Sequence, residues 1–497
     1  MFSKLIFISL VSLLTIFSLT NCTKLQEVES FAPGDLPQAV IGGITANGGG
    51  ALYCSISGGC PIQITGTNFY KKARVFVGSY ECDDVVISDD FTTIDCNVGP
   101  GQNGVYDISV KNIDNQFSTI DAGVSATAVQ FSYASFMYLG VQTSPGQVYG
   151  YAQHPTTGAL ISVSGSPFTT AGDGTYGVAI SKNNKFLYST NVSSNTVTTF
   201  AINPLTGVLT NVSGPMTTDS NGPNGLFVHP SGNFLYVSNY YAGDVSGYSI
   251  GSDGLLSQIA GSPFSASGAL QINGLVASSD GRYLYAAAGG AASGTNGVVA
   301  YSVNQTTGAL SLIAGSPFRN PIDGSISNRG DGISIHPNAR WLYMGLYGQG
   351  LMAGWQIDSD TGALTPIEDP VSNVSSGTAY SDNGGSASSV SSDGLFLYGT
   401  AYSTNAANPK KIIVYSINPN NGGLSHASEN NTDGGPNDIR IDTTGDFAYT
   451  CNTRNSPSIN AFSINKVTGA LSDLTPASYS IPAPNAGPGI MIMQINR

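Results

Sequence analysis

Candidate binding residues stand where short predicted strands end or begin in the C-terminal two thirds of the chain. Their amide and carboxylate groups can hydrogen-bond a ligand, their arginines can polarise a carbonyl group, and their tyrosine rings can stack on a sugar or anchor a protein partner. The set consists of Asn191, Asn239, Tyr240, Tyr241, Asp244, Arg329, Asp331, Tyr347, Asp438, Asn452 and Arg454.

Several of these residues also have a structural interpretation. Asparagine side chains commonly satisfy backbone groups in turns, so strand capping is favoured over ligand contact for Asn191, Asn239 and Asn452. Arg329 and Asp331 form the sharper functional pair because only 10% of the residues are charged. A surface ion pair is nevertheless the ordinary explanation for two such neighbours.

Histidine chemistry has weak support in this sequence. His154, His229 and His336 open predicted turns, and His426 lies in a predicted outer strand, so none reaches the expected ligand face. The zinc-peptidase motif His-Glu-x-x-His is absent. We therefore expect no metal site and no cofactor.

The elements that position the candidate residues repeat with a period of roughly 50 residues. An aromatic-apolar-Tyr strand occurs seven times, and so do a turn followed by leucine and an apolar strand that begins near a Gly, Asn, Ser or Asp. Four strands per period without a helical pattern are typical of a propeller blade. The repeated tyrosines are Tyr138, Tyr188, Tyr236, Tyr285, Tyr343, Tyr398 and Tyr449.

The order of the strands predicts how the ring closes. With strands named A to D from the axis outward, the chain enters at strand B, Phe136 to Gly140, and ends with a lone strand A, Gly489 to Gln494. Pairing these two strands completes seven blades and leaves no terminal edge. The B–C loops and D–A crossovers then share one face, the upper face, which carries the long insertions 287–297, 319–332, 366–386 and 401–411. Variable loops on a rigid scaffold commonly bind ligands, so we place the candidate site there.

Two recurrent motifs resemble a known family. Tyr236-Val237-Ser238-Asn239 and its counterparts are similar to the YVTN propeller repeat, and Gly-Ser-Pro-Phe, as at Gly261 to Phe264, resembles the seven-bladed lactonase family. The resemblance runs from about residue 134 to the end and implies the propeller fold. As an activity it implies lactone hydrolysis, in which upper-face carboxylates and arginine would polarise an ester and activate water.

The segment from 38 to 133 has alternating short strands typical of a small Ig-like sandwich. The run Gly66 to Phe69, followed by Val75 to Gly78 and the closing Phe131 to Tyr133, resembles the IPT/TIG family of Ig-like domains. This resemblance implies an interaction module in which the phenylalanine is core. The overall fold class is therefore all-β, an IPT/TIG sandwich followed by a seven-bladed propeller closed by the C-terminal strand.

Cysteine spacing leaves the disulfide pattern open. Four cysteines, Cys54, Cys60, Cys82 and Cys96, allow three pairings, and a zinc site is the alternative, although the two-residue spacing of a zinc knuckle is missing. We expect Cys54 to pair with Cys60 and Cys82 with Cys96, and the IPT/TIG resemblance supports the second bond. Cys451 is expected to be a buried free thiol.

The N-terminus predicts export. Leu5 to Leu19 is an apolar stretch that is short for a spanning helix, and Leu19 to Cys22 resembles a bacterial lipobox of the loose kind found in spirochaete lipoproteins. An ordinary secretory signal is the alternative. We therefore expect a signal peptide over 1–21, a lipid on Cys22, a tether over 22–37, the IPT/TIG domain over 38–133 and the propeller over 134–497. The expected location is the cell envelope, as an outer membrane lipoprotein.

Charge narrows the class of partner. The formal charge of −13 and the lack of a long basic run argue against nucleic-acid binding. The leading hypothesis is a non-catalytic binding module whose upper propeller face engages a macromolecule or glycan at or beyond the envelope. The alternative is a lactonase resembling 6-phosphogluconolactonase that acts on an extracytoplasmic lactone, although export argues against a phosphorylated substrate.

Overall fold

In the computed structural model of the protein, every regular element among the described residues is a β-strand. It divides into two compact units at Tyr133 and Ala134. No helix long and apolar enough to cross a bilayer occurs in the part of the chain described. The expected signal peptide, Cys22 and the tether up to residue 36 lie outside that part. The structure describes residues 37–46, 53–54, 60–99, 101, 104–113, 116–120, 130–133, 135–204, 206–212, 214–269, 271–289, 297–319, 329–347, 351–367, 383–403, 410–453, 457–482 and 493–495.

The N-terminal unit contains two five-stranded sheets, the expected sandwich. Inward and outward residues alternate along its strands, and Ile62, Ile64 and Phe69 are completely buried. One sheet has the order β6-β7-β3-β1-β9 and the other β2-β10-β8-β4-β5. The strands are β1 (Val40–Ala46), β2 (Tyr53–Cys54), β3 (Cys60–Thr67), β4 (Arg74–Val77), β5 (Tyr80–Glu81), β6 (Asp83–Ile87), β7 (Thr93–Val98), β8 (Gly104–Lys111), β9 (Thr119–Ile120) and β10 (Gln130–Tyr133).

The cysteines of this unit differ in part from the expected pattern. Cys60 is disulfide-bonded, and its expected partner Cys54 lies on β2, whose side chains are outside the described part. Cys82 and Cys96 are buried free thiols, so the expected bond between them is not formed. The two thiols form a hydrogen bond with each other. This bond is the largest cause that raises the pKa of Cys96, and burial of the thiol is the second.

The second unit contains seven antiparallel sheets. Each A strand contacts the A strands of both neighbouring blades, which places these strands around a central channel. In A-to-D order, blade 1 consists of β42 (Met493–Ile495), β11 (Ser135–Val141), β12 (Gln147–Gln153) and β13 (Leu160–Ser162); blade 2 of β15 (Thr175–Ile180), β16 (Phe186–Asn191), β17 (Thr196–Ile202) and β18 (Leu209–Asn211); blade 3 of β20 (Pro223–Val228), β21 (Phe234–Asn239), β22 (Asp244–Ile250) and β23 (Leu256–Gln258); and blade 4 of β25 (Ile272–Ala277), β26 (Tyr283–Ala288), β27 (Gly297–Val303) and β28 (Leu310–Leu312).

The last three blades follow the same plan. Blade 5 consists of β30 (Arg329–Ile335), β31 (Trp341–Tyr347), β32 (Leu351–Ile357) and β33 (Leu364–Pro366); blade 6 of β34 (Asn383–Val390), β35 (Phe396–Ser403), β36 (Lys411–Ile417) and β37 (Leu424–Asn431); and blade 7 of β38 (Gly435–Ile441), β39 (Phe447–Thr453), β40 (Ser458–Ile464) and β41 (Leu471–Ser480). In blades 1 to 4 a short strand also pairs with strand C: β14 (Phe168–Thr169), β19 (Met216–Thr217), β24 (Phe264–Ser265) and β29 (Phe318–Arg319).

The C-terminal strand closes the ring, as expected. β42 pairs antiparallel with β11, with Met137 opposite Ile495. The described strand is Met493–Ile495, and residues 489–492 of the expected strand lie outside the described part. B strands are buried along nearly their whole length because stacked blades cover both faces of each sheet, and this explains their continuous apolar sequences.

A belt of seven tyrosine hydrogen bonds, which we call the tyrosine belt, links each blade to the next. Every repeated tyrosine of strand B donates its hydroxyl to the carbonyl oxygen of a C–D turn glycine in the following blade, over 2.6 to 3.2 Å. The bond from Tyr449 of blade 7 to Gly158 of blade 1 completes the circle. The glycine is required because its φ is positive, +73° at Gly308, and because an added Cβ there would lie 2.6 Å from the ring of Phe234.

Candidate functional site

The asparagines of the predicted site are structural. Asn191, Asn239 and Asn452 are completely buried at the ends of their B strands. The Asn191 amide donates to Thr196 and Thr198, and the Asn452 amide donates to Ser458 and Asn460. These bonds lock the B–C hairpins. The three residues therefore cap strands and are buried away from solvent.

Asp244 is occupied in the same way. Its carboxylate accepts hydrogen bonds from the Ser220 hydroxyl at 2.7 Å and from the Asn239 amide at 2.7 Å. These bonds join the D–A crossover to the B–C loop of blade 3. Asp244 thus holds two upper-face loops together, and its oxygens are already engaged.

Tyr240 and Tyr241 form an exposed aromatic pair on the upper face. Their rings meet edge to face with centroids 5.2 Å apart, and Tyr241 is 65% exposed. The Tyr241 ring also lies against Gly222, where an added Cβ would be 2.4 Å from it. Backbone bonds from Tyr240 to Gly222 and from Gln271 to Tyr240 fix the loop. The Tyr241 ring is therefore held in place while one side stays open to solvent.

Asp438 lies on the inner strand of blade 7 and is paired with an arginine. Arg440 Nε lies 3.2 Å from Asp438 Oδ2, and the Asp438 side chain is only 5% exposed. The other carboxylate oxygen accepts the Ile439 backbone N–H at 2.9 Å. By contrast, 31% of the Arg440 side chain is exposed. β38 is the innermost strand of blade 7, and it runs away from the upper face.

Three further predicted residues have only their backbones among the described residues, and a fourth lies outside them. The backbones of Arg329 and Asp331 lie on β30 and that of Tyr347 ends β31, so each is on an inner element of blade 5. Their side chains, and Arg454 entirely, fall outside the described residues. The insertion loops of the upper face fall outside them in large part as well.

The histidines with described contacts form turns, as expected. The ring Nε2 of His229 donates to the Gly281 carbonyl at 2.7 Å, and that of His336 donates to the Gly394 carbonyl at 2.9 Å. Both bonds join A–B turns of adjacent blades on the face opposite the candidate site. The ring Nδ1 of His154 accepts backbone N–H groups of its own turn.

Two residues that could act as nucleophiles, Cys451 and Ser249, lie inside β-strands. Cys451 is a buried free thiol, as expected, and burial raises its pKa. The pattern Gly-x-Ser-x-Gly occurs at 247–251, but Ser249 lies within β22 and donates its hydroxyl to the Ser257 carbonyl at 3.2 Å. A nucleophile elbow requires a strand-to-helix turn, which this position lacks.

Arg440 is the functional candidate that sequence reasoning missed. Asp438 and Arg440 are two apart on one strand, so their side chains project from the same face, and this i, i+2 spacing in a predicted inner strand was the available signal. Among the A-strand side chains that the structure describes, the two charged ones are Asp438 and Arg440. A carboxylate and an arginine thus meet on an innermost strand rather than at the upper rim.

Comparison with known families agrees with both units. The family model described as "Lactonase, 7-bladed beta-propeller" matches residues 136–271 and 332–486, more than half of the chain. The IPT/TIG domain model matches residues 52–133. No curated protein matches the sequence.

Solved structures share the propeller. A putative 6-phosphogluconolactonase from Bacteroides uniformis has a TM-score of 0.59 at 20% identity, covering 73% of this chain and 99% of that one. The periplasmic gluconolactonase of Pseudomonas aeruginosa has a TM-score of 0.57 at 18% identity, covering 73% and 99%. A protein from Lactobacillus plantarum has a TM-score of 0.57 at 19% identity, covering 73% and 100%. At these identities the likeness is one of fold.

Proposed function

Because the chain belongs to the seven-bladed lactonase propeller family and carries an IPT/TIG domain, we propose that its propeller binds a lactone and opens it by hydrolysis. The proposal includes export, so the substrate is an extracytoplasmic, unphosphorylated sugar lactone. The P. aeruginosa protein of similar fold is described as periplasmic, which makes such a location compatible with this fold.

The observation that carries the proposal is the partly exposed Arg440 held by Asp438 on the inner strand of blade 7. A guanidinium group supplies several N–H donors in a fixed plane and stays charged at any physiological pH. Because Asp438 holds the guanidinium group, its orientation on the strand is fixed. Arg440 is thus the candidate to stabilise a carbonyl oxygen.

The chemistry follows from that placement. Water adds to the lactone carbonyl carbon, and the negative charge that develops on the carbonyl oxygen is stabilised by Arg440. The ring C–O bond then breaks, the ring oxygen leaves as a hydroxyl group after taking up a proton derived from the water, and the product is a hydroxy acid. Asp438 acts as a positioning residue, because both of its oxygens already accept hydrogen bonds.

The test is lactone turnover by the full chain. Hydrolysis of D-glucono-δ-lactone is followed at constant pH, and the spontaneous rate is subtracted. Arg440→Gln is expected to lower kcat by roughly 10²–10³-fold, the usual cost of losing an oxyanion donor. Asp438→Asn is expected to lower activity through misplacement of Arg440. The control is Arg282→Gln, which removes an exposed arginine paired with Asp280 at 2.6 Å and should leave turnover unchanged.

Two results would overturn the proposal. One is a wild-type chain that does not exceed the spontaneous rate with a panel of δ- and γ-lactones. The other is an Arg440→Gln variant that is folded by near-UV circular dichroism and fully active.

A second function is favoured by the exposed aromatic pair. Tyr241, held by Gly222 and Tyr240, has the features of a protein or glycan hot spot, since a fixed aromatic ring loses little conformational entropy on binding. A non-catalytic binding role of the upper face would therefore depend on Tyr241. Tyr241→Ala should abolish capture of an envelope partner without affecting lactone turnover, whereas an unchanged capture would remove this role.

A further inference from the structure

A cavity of about 220 Å³ lies on the outer rim of the ring, between strands C and D of blade 1 and strand D of blade 7. These are the first and last blades of the chain, so the cavity, which we call the seam pocket, sits beside the ring closure. Three tyrosines line it, Tyr149, Tyr151 and Tyr479, together with proline rings and serine hydroxyls that include Ser162 and Ser480.

The Tyr151 hydroxyl differs from its counterparts at three of the other blade interfaces. Tyr151 is the fifth residue of its C strand, and at the same position Tyr248, Tyr301 and Trp355 each donate to the preceding blade or crossover, to Asp219, Ser265 and Arg319. Tyr151 is 4% exposed. Its hydroxyl lines the cavity without a hydrogen bond to any residue that the structure describes.

A second hydroxyl retains donor capacity. Tyr479 accepts the Leu160 backbone N–H at 2.9 Å, so its own proton is available. Burial raises the pKa of Tyr151 to about 12, so this hydroxyl also keeps its proton at neutral pH. The pocket therefore offers two O–H donors beside apolar ring surface.

The lining restricts the ligand class. It contains no charged side chain, so nothing in it compensates a phosphate or carboxylate. The volume is below the ~300–1,000 Å³ of pockets for drug-sized molecules, which limits the occupant to about one small ring. Extended proline-rich peptides lie along open aromatic ridges, whereas Tyr149 and Tyr151 are only 3% and 4% exposed.

We propose that the seam pocket binds one neutral pyranose ring of a glycan, with the sugar packed beside the partly exposed Tyr479 and sugar hydroxyls accepting from Tyr151 and Tyr479. The site is separate from the lactone site proposed above, because it is built from C and D strands on the rim and not from A strands at the channel.

The experiment measures binding of methyl glycopyranosides by the full chain. The probes are the methyl glycosides of glucose, galactose, mannose and N-acetylglucosamine, and the readouts are saturation-transfer NMR and titration calorimetry. At least one probe is expected to bind saturably. Tyr151→Phe, which removes only the hydroxyl, should weaken it roughly two- to tenfold, the value of one neutral hydrogen bond. The matched control is Tyr301→Phe, which removes a hydroxyl already bonded to Ser265 and should bind like wild type.

The outcomes separate this proposal from the lactonase proposal. Arg440→Gln should bind the glycoside normally even if lactone turnover is lost. The seam pocket proposal is overturned if no probe binds saturably, if Tyr151→Phe binds as tightly as wild type, or if a polyproline peptide binds in a Tyr151-dependent manner and the glycosides do not.

Discussion

Replacing Tyr449 by phenylalanine tests whether the ring is closed in solution. Tyr449 belongs to the last blade, and its hydroxyl donates to Gly158 of the first blade at 2.6 Å, although the two residues are 291 positions apart in sequence. Tyr236 makes the equivalent bond to Gly308 at 2.7 Å between consecutive blades. The same substitution at these two positions removes the same chemical group from the seam and from an interior interface.

The magnitude follows from burial. Both tyrosines are completely buried, and phenylalanine keeps the ring, so packing is preserved. What remains is a glycine carbonyl without its donor, which costs about 1–3 kcal/mol in free energy of unfolding. In a closed ring the two substitutions should cost equal amounts within about 0.5 kcal/mol. Tyr241→Phe, at a 65% exposed position, should cost close to nothing.

The assay uses the two tryptophans as probes. Trp341 and Trp355 are both in blade 5 and completely or almost completely buried, and the chain contains no others. Their fluorescence in urea therefore reports the propeller and not the N-terminal unit, whose separate unfolding would otherwise obscure the transition. If Tyr449→Phe is as stable as wild type while Tyr236→Phe is destabilised, the ring is open at the seam and the reasoning is refuted.

Three further predictions concern other features. Gly308→Ala should cost about 2–5 kcal/mol in urea denaturation, because it adds a clash with Phe234 to the left-handed φ of +73°, whereas Gly268→Ala, with φ +81° and open space around it, should cost only about 1–2. Burial lowers the pKa of His229, so the unfolded chain takes up the proton first; stability should fall as pH drops below about 6.5, and His229→Gln should show less of this fall in pH-dependent melting. Cys22→Ala should move the protein from the membrane to the soluble fraction and abolish palmitate labelling.

Each of these predictions has a contrary outcome. Equal costs at Gly308 and Gly268 would mean that the neighbouring aromatic ring yields freely. An unchanged pH profile in His229→Gln would assign the acid sensitivity to other groups. Membrane retention of Cys22→Ala would indicate a different attachment, and a wild-type chain without palmitate label would favour the ordinary secretory alternative.

The repeat made much of the architecture predictable. Blade number, strand order and closure by the C-terminus follow from local signals: strand-length apolar runs, turn glycines and a tyrosine that recurs in every B strand. Each of these signals can be read from the sequence because it reflects contacts within about one repeat, or one contact that recurs in all seven blades. The capping role of Asn191 and its counterparts was also foreseeable, because asparagine in a turn bonds to nearby groups.

Other features depended on contacts between distant parts of the chain. The packing of strands and blades decides whether Cys82 and Cys96 form a disulfide. It also decides how much of Arg440 is exposed beside Asp438, and whether the Tyr151 hydroxyl has a hydrogen-bond partner. Sequence determines that a tyrosine stands fifth in a C strand. Only the packed ring determines that this tyrosine, unlike Tyr248 and Tyr301, lines a pocket, because the pocket is completed by residues of blade 7 such as Tyr479, more than 300 positions away in sequence.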